Sequence, residues 1–558
     1  MGTIERTFRL LIIAIYFLLG NCYIEESFHS EEVLLSVETK AGIVRGVQKR
    51  TIEDKLYLAF EGIPYAKPPV GDRRFAPPEK FGKWNGTLLG NKWYTCAQLL
   101  LVVHRYVKLG QEDCLYLNVY VPRERIYKNA NFSVIDYIHP GTFKMLSPRM
   151  AAGEIFIMNK DVIYVNFNYR LGVFGFLSTD DEIVPGNMGL KDQTMALQWV
   201  KENIHFFGGN PDSITLIGSS AGGVSVHYHY LSPLSRGLFH RGMSQSGTAL
   251  NSWALINNPR EKLMNLTKRL NCSQQSSKVM IDCLRNLSRG NILEAVKEMH
   301  SVFHLCPFLL FGPVVEKGPD AFLPEHPYKL LSSGNFMQVP WIASNTVDEG
   351  VIVVQPIVTL RKLGVLEEKW DDVLPFLLNF IYTANNTDLR RISEKIRDYY
   401  LGDKPAPKAL NELIKLASDR IFLYDAYNAL KLHAANSQAP VYYYRYSFND
   451  GESVWGINGV AHADDSKIIF KMEHVPKILP SEVANTRDTL LDMVYSYATK
   501  GIPRINNREF PIFDGTPEGL VINIYSANNT TVEEFGELKS QTLWEELPIY
   551  ENRKLFVH

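Results

Sequence analysis

Ser220 stands at the centre of Gly218-Ser219-Ser220-Ala221-Gly222, between an apolar run at 214–217 and a helix-capable segment that continues to Leu231. A serine held at the tip of a sharp strand-to-helix turn can attack a carbonyl, with the N–H groups that follow it placed beside the developing oxyanion. The turn must be tight enough to press Gly218 and Gly222 against neighbouring backbone, where a Cβ would clash. The pentapeptide alone is weak evidence, because a chain of this length carries roughly 0.2 such matches by chance. A free hydroxyl is also a poor nucleophile. It needs a base to take its proton, a carboxylate to orient that base, and fixed N–H donors. Where a serine occupies such an elbow, the acid and then the histidine follow it in the chain.

Both partners have candidates in that order. Asp348 and Glu349 lie in the loop Thr346-Val347-Asp348-Glu349-Gly350, after an apolar run at 339–343, and on local grounds either could be the acid. His462 lies in Gly459-Val460-Ala461-His462-Ala463-Asp464-Asp465, after a second apolar run at 441–444. Strand C-termini are where catalytic groups gather in open α/β sheets. A lone acidic turn or loop histidine is ordinarily a solvated surface feature. Position after Ser220 and among small residues sets His462 apart from the other thirteen of the chain's 14 histidines.

The elements that would position these residues read as an α/β chain. Buried strands are expected at 117–121, 134–138, 162–167, 214–217, 339–343 and 441–444, from continuous apolar runs. A helix is expected over 187–206, where Leu190, Leu197, Val200 and Ile204 recur at helical spacing. Strands alternating with helices predict a large, mostly parallel sheet covered on both faces. Residues 33–50 read as an edge hairpin turning at Ala41-Gly42. The segment LAFEGIPYAKPPVGDRRFAPPEK that follows is too rich in Pro and Gly for regular structure. Chiefly helical stretches at about 257–289 and 359–432 read as insertions roofing the sheet.

At 558 residues and 46% hydrophobic, the chain can bury a large core. A net charge of −1, with no long Lys/Arg cluster, argues against nucleic acid or an anionic membrane as partner. Residues 1–22 read as a secretory signal peptide: Arg6 and Arg9, an apolar run from Leu10 to Leu19, then Gly20-Asn21-Cys22. The remainder, 23–558, reads as one domain, secreted and without a membrane anchor. Cys96 with Cys114 and Cys272 with Cys283 form the simplest short-range pairs, each closing a surface loop, with Cys306 left over. Glycosylation sequons occur at Asn85, Asn131, Asn265, Asn271, Asn286, Asn385, Asn528 and Asn529.

From about Val33 to its last strands the chain resembles the type-B carboxylesterases of the cholinesterase and carboxylesterase superfamily, and most of all the secreted insect esterases. The motifs that carry the likeness are EDCLYLN at 112–118, NYRLG at 168–172, PGNMGLKDQTMALQWV at 185–200, GSSAGG at 218–223, AFLPEHPYKLL at 321–331, VDEG at 347–350 and GVAHADD at 459–465. The resemblance implies an α/β-hydrolase fold and a serine carboxylesterase with Ser220 as nucleophile, His462 as base and Glu349 as acid. It implies oxyanion donors at the N–H groups of Gly141, Thr142 and Ala221, a helper hydroxyl at Ser246, an acyl-pocket position at Trp253, and the disulfides Cys96–Cys114 and Cys272–Cys283. No metal or organic cofactor is implied; the partner is a small-molecule ester.

Three departures matter. The oxyanion segment, usually His-Gly-Gly-Gly-Phe in this family, reads His139-Pro140-Gly141-Thr142-Phe143. Pro140 lacks an N–H but is not a donor position, whereas Thr142 is β-branched and would be strained at positive φ. Ser219 replaces the acidic residue common before the nucleophile. The 96–114 loop also lacks the Trp that would face a quaternary ammonium. The expected activity is therefore hydrolysis of neutral carboxylic esters through an acyl-enzyme. A non-catalytic binding or adhesion protein on the same fold is the alternative; a lipase with a lid has no amphipathic lid segment to support it.

Overall fold

The computed structural model describes residues 35–102, 105–122, 130–150, 153–299, 309–451, 457–470, 479–550 and 552. The expected signal peptide, with Cys22, and Cys306, left over from the expected pairs, lie outside the described residues. The chain opens with an antiparallel hairpin, β1 (Leu35–Glu38) and β2 (Ile43–Arg50), joined through Thr39–Gly42. Next to β2 lies β3 (Leu56–Pro64), and β4 (Thr87–Leu89) pairs with the first residues of β2 on the side opposite β1. A separate hairpin, β5 (Gln98–Val102) and β6 (Arg105–Leu109), fills the segment between Cys96 and Cys114. Then β7 (Tyr116–Val121) returns antiparallel to β3.

The parallel core follows: β8 (Phe132–Ile138), β9 (Ile163–Phe167), β10 (Gly209–Ser219), β11 (Arg241–Gln245), β12 (Trp341–Thr346) and β13 (Val441–Tyr446). A short β14–β15 ribbon (Arg504–Ile505, Arg508–Glu509) precedes β16 (Leu520–Ser526) and β17 (Asn529–Glu534). Among the described residues the main sheet has 13 strands, in the order β1-β2-β3-β7-β9-β8-β10-β11-β12-β13-β16-β17, with β4 beside β2. From β9 to β16 every neighbour is parallel. The long helix runs Met188–Asn203 and tightens to a 3₁₀ turn over Ile204–Phe207.

Two expectations are corrected. The Pro- and Gly-rich segment does contain regular structure, because β3 is almost wholly buried. Its Gly62 sits at φ +82, where the register slips between Glu61 and Ile63, and a Cβ there would come within 2.6 Å of the Lys92 carbonyl. A bulge thus lets the strand continue through residues that read as a loop. The segment that Cys96 and Cys114 close is the β5–β6 hairpin rather than an irregular loop, and the two cysteines themselves are buried in the main core at its root.

Asp136 puts a carboxylate into the apolar run of β8. It lies in register between Val165 of β9 and Leu216 of β10, is fully buried, and neither carboxylate oxygen has a partner among the described residues. Burial pushes its pKa well above the ordinary range. An acid whose folded pKa is raised loses folded-state stability as pH climbs past its unfolded value near 4. Asp136→Val should therefore stabilise the protein by about 1–3 kcal/mol near neutral pH. The difference in melting temperature between variant and parent should widen from pH 4 upward; a gap that is flat or negative across that range rules this account out.

Candidate active site

The groups that could do chemistry all leave the same edge of the sheet. Adjacent parallel strands β8, β10, β11, β12 and β13 lead at their C-terminal ends into, in that order, the His139–Phe143 loop, Ser220, Ser246, Glu349 and the loop that carries His462. Ser220 has φ 56 and ψ −120, immediately before the helix Ala221–Leu231. Its N–H donates to the Gln245 carbonyl at 2.7 Å. A Cβ on Gly218 would approach Gly222 backbone to 2.3 Å, and one on Gly222 would reach the Ile138 carbonyl at 2.1 Å. Glycine at both positions is what allows the elbow to close over the end of β8.

The loop after β8 turns through three successive positive φ values: Gly141 at 122, Thr142 at 54 and Phe143 at 54. The Gly141 carbonyl accepts from the N–H groups of Lys144 and Met145, both at 3.0 Å, and the Phe143 carbonyl accepts from Gly172 at 2.7 Å. A left-handed conformation at a β-branched residue costs about 1–2 kcal/mol. Thr142 therefore holds its place because its surroundings impose it. His139 anchors the loop from below, buried, with Nδ1 2.7 Å from the Pro140 carbonyl and its ring 4.5 Å from that of Tyr169. The carbonyl can only accept, so Nδ1 carries the proton. Burial lowers the His139 pKa to about 4, which keeps the ring neutral.

Glu349 and His462 meet. Oε2 of Glu349 lies 2.5 Å from His462 Nδ1, both side chains being buried. The second carboxylate oxygen accepts from the Thr346 N–H at 3.0 Å and from Asn345 Nδ2 at 3.1 Å. A carboxylate so held leaves His462 Nδ1 as the donor and directs Nε2 away from the acid. Phe422 lines the imidazole at a ring separation of 4.6 Å.

Asp348, the other local candidate for the acid, does something different. Its N–H donates to the Val460 carbonyl and its Oδ2 accepts from the Val460 N–H, both at 3.0 Å. It clamps the backbone of the histidine loop to the acid loop. Asp348→Ala should lower kcat roughly 10-fold by loosening that loop, whereas Asp348→Asn, which keeps an acceptor, should stay near the parent. Equal kcat losses in the two variants would refute the clamp.

Sequence reasoning missed Asp465. It is fully buried, and its Oδ2 accepts from Gln245 Nε2 at 3.0 Å, Ser344 Oγ at 3.1 Å and the Tyr444 hydroxyl at 2.8 Å. The carbonyl of that same Gln245 receives the Ser220 N–H. One carboxylate therefore ties the ends of β11, β12 and β13 to the helix that begins just after His462. Burial is the largest influence on it and raises its pKa, against the pull of those donors. The doubled Asp in HADD was the visible signal, but its partners are set by strand neighbours far away in the chain.

The carboxylesterase family profile matches residues 34–544. The chain belongs to the carboxylesterase family. It is 38% identical over 556 residues to venom carboxylesterase-6 of Apis mellifera, covering 96% of this chain and 98% of that one. It is 39% identical over 469 residues to juvenile hormone esterase of Tribolium castaneum, covering 78% of each. The crystal structure of juvenile hormone esterase from Manduca sexta, with OTFP covalently attached, superposes with a TM-score of 0.79 at 25% identity, covering 91% of this chain and 98% of that one. The fold is the α/β-hydrolase fold, and the protein is a carboxylic ester hydrolase.

In this carboxylesterase the remaining expected residues lie as follows. Ser246, at φ 52 and fully buried, donates its N–H to the Ser344 carbonyl, and its hydroxyl has no partner among the described residues. Trp253 is buried, donates Nε1 to the Ile421 carbonyl at 3.1 Å and lies between Phe143 and Phe422, at 6.4 and 6.2 Å. It thus bridges the His139–Phe143 loop and the ring beside His462. Cys96 is bonded to Cys114 and Cys272 to Cys283. All eight sequon asparagines are exposed. Among the described residues no helix is long and apolar enough to cross a membrane, and no cluster of His, Cys, Asp or Glu could hold a metal.

Proposed function

We propose that this protein is a secreted serine carboxylesterase that hydrolyses neutral carboxylic esters through an acyl-enzyme, with residues 23–558 acting as one catalytic unit. The observation that carries the reading is the 2.5 Å contact between Glu349 and His462, built at the strand ends next to the Ser220 elbow. Ser220 attacks the ester carbonyl while His462 Nε2 takes its proton. The N–H groups of Gly141, Thr142 and Ala221 receive the oxyanion; none of them donates to another protein group among the described residues. His462 then protonates the departing alcohol and afterwards activates water to release the acid. Glu349 fixes the tautomer and stabilises the imidazolium.

Preference for neutral esters follows from Ser219, which puts a hydroxyl where a carboxylate would draw cations, and from the absence of Trp in the 96–114 segment. Secretion is supported by the N-terminal sequence, by the two disulfides and by likeness to a venom protein along almost the whole chain. Covalent attachment of OTFP to the esterase from Manduca sexta fits a nucleophilic route. The strained Thr142 favours one other reading, a weak or inactive binding protein on this fold. A fluorophosphonate probe separates the two. The enzyme is expected to label on Ser220 and to lose ester hydrolysis in proportion to labelling; absence of labelling on a folded protein supports the binding role instead.

A further inference from the structure

Thr142 is the only β-branched residue that takes a positive φ among the described residues. A glycine would hold that conformation without strain, so a branched side chain there is a cost to the fold. Such strain gathers at working sites, where the surroundings impose it. In the same loop, a Cβ on Gly141 would come within 2.0 Å of the Met145 carbonyl, so position 141 has no room for a side chain. Phe143 turns inward, fully buried, with its ring 5.1 Å from that of Phe176 and 6.4 Å from that of Trp253. Thr142, between them, keeps a polar side chain that is only half-buried.

The Thr142 hydroxyl is also unclaimed. It has no hydrogen-bond partner among the described residues and, unlike the buried hydroxyls of Ser219 and Ser246, it is open to solvent. Its place in the fold gives it something to meet. The loop leaves β8, the strand beside β10. A Cβ on Gly222 would reach the Ile138 carbonyl at 2.1 Å and the His139 carbonyl at 3.2 Å. The stem of the loop therefore rests on the first turn of the helix that follows Ser220, three residues before Thr142.

We propose that the Thr142 hydroxyl is a further catalytic group, a side-chain donor to the ester's carbonyl oxygen in the transition state, acting beside the residue's own N–H. The inference rests on the esterase reading above. As Ser220 Oγ bonds to the carbonyl carbon, the C=O π pair moves onto the oxygen and the serine proton passes to His462. The oxygen gains both charge and the capacity to accept another hydrogen bond. The amide nitrogen and Oγ1 of a threonine are three bonds apart, so a staggered χ1 lets both donate to one acceptor. Such a donor acts on charge that exists only in the transition state, so its effect falls on kcat and not on KM.

Thr142→Val keeps the shape and the branching and removes only the hydroxyl. On p-nitrophenyl acetate it is expected to lower kcat about 10–100-fold, with KM within ~2-fold of the parent. Thr142→Ser keeps the donor and should stay within ~3-fold. Thr142→Gly relieves the strain, so it should melt at a higher temperature than the parent and still lose kcat by the same factor as Thr142→Val; it keeps the test decisive if the valine variant fails to fold. An alkyl trifluoromethyl ketone, which Ser220 turns into a tetrahedral oxyanion adduct, should bind Thr142→Val more weakly by the fold lost in kcat/KM. A valine variant within ~3-fold of an active parent, a loss carried by KM alone, or a glycine variant as fast as the parent would each overturn the proposal and leave the esterase reading standing. A folded parent that turns over no ester would overturn both.

Discussion

Ser220→Ala and His462→Ala are each expected to lower kcat for ester hydrolysis by about 10⁶-fold, and the double variant is expected to be no slower than either. In the proposed mechanism the two side chains form one device. Without the imidazole the hydroxyl keeps its proton and stays a poor nucleophile; without the hydroxyl the imidazole has nothing to activate except water. Once one is gone, removing the other takes away nothing further. A residual rate about 10³–10⁴-fold above the uncatalysed reaction should survive, because neither substitution touches the proposed oxyanion donors, the N–H groups of Gly141, Thr142 and Ala221. Steady-state kinetics on p-nitrophenyl acetate, with melting temperature as the control for folding, measures this. Losses that multiply in the double variant, or a single variant within ~100-fold of the parent, would dismantle the pairing of Ser220 with His462.

The sequence shows the parallel core and the elbow clearly, for a physical reason. A strand buried on both faces must be apolar at nearly every position, so the runs at 162–167, 214–217 and 441–444 carry their own signal. Gly218 and Gly222 are legible because the backbone contacts they permit are local. Other features depend on what packs against them. The strand Leu56–Pro64 contains Gly62 and Pro64, and only the neighbouring β7 shows that the glycine makes a bulge rather than a break. Asp348 and Glu349 are one residue apart and chemically alike. No local pattern says that one faces the Val460 backbone and the other the imidazole. Asp465 is harder still, since its partners come from residues 245, 344 and 444 and meet only when three strands are in register. Thr142 is a different case. The His139–Phe143 segment shows a departure from its family's pattern, but the positive φ that turns the departure into strain belongs to the folded loop.

Glu349→Gln is expected to lower kcat by about 10⁴-fold, equivalent to ~5.5 kcal/mol of transition-state stabilisation, with KM little changed. The surroundings of Glu349 decide how the amide must point. The Thr346 N–H and Asn345 Nδ2 are both donors aimed at Oε1, so the glutamine carbonyl has to take that position and its NH₂ has to face His462 Nδ1. A donor now meets the nitrogen that previously donated. The imidazole avoids the clash by moving its proton to Nε2, the nitrogen meant to accept the serine proton, and the base is lost with its geometry intact. The carboxylate that would steady the imidazolium is lost as well, and this acts only once charge has developed, so the effect falls on kcat. Asp348→Asn is the internal comparison: it removes the neighbouring negative charge but keeps an acceptor for the Val460 N–H, and should stay within ~3-fold of the parent. If the larger loss comes from Asp348→Asn, or if Glu349→Gln remains within ~10-fold of the parent, the acid of this site is not Glu349.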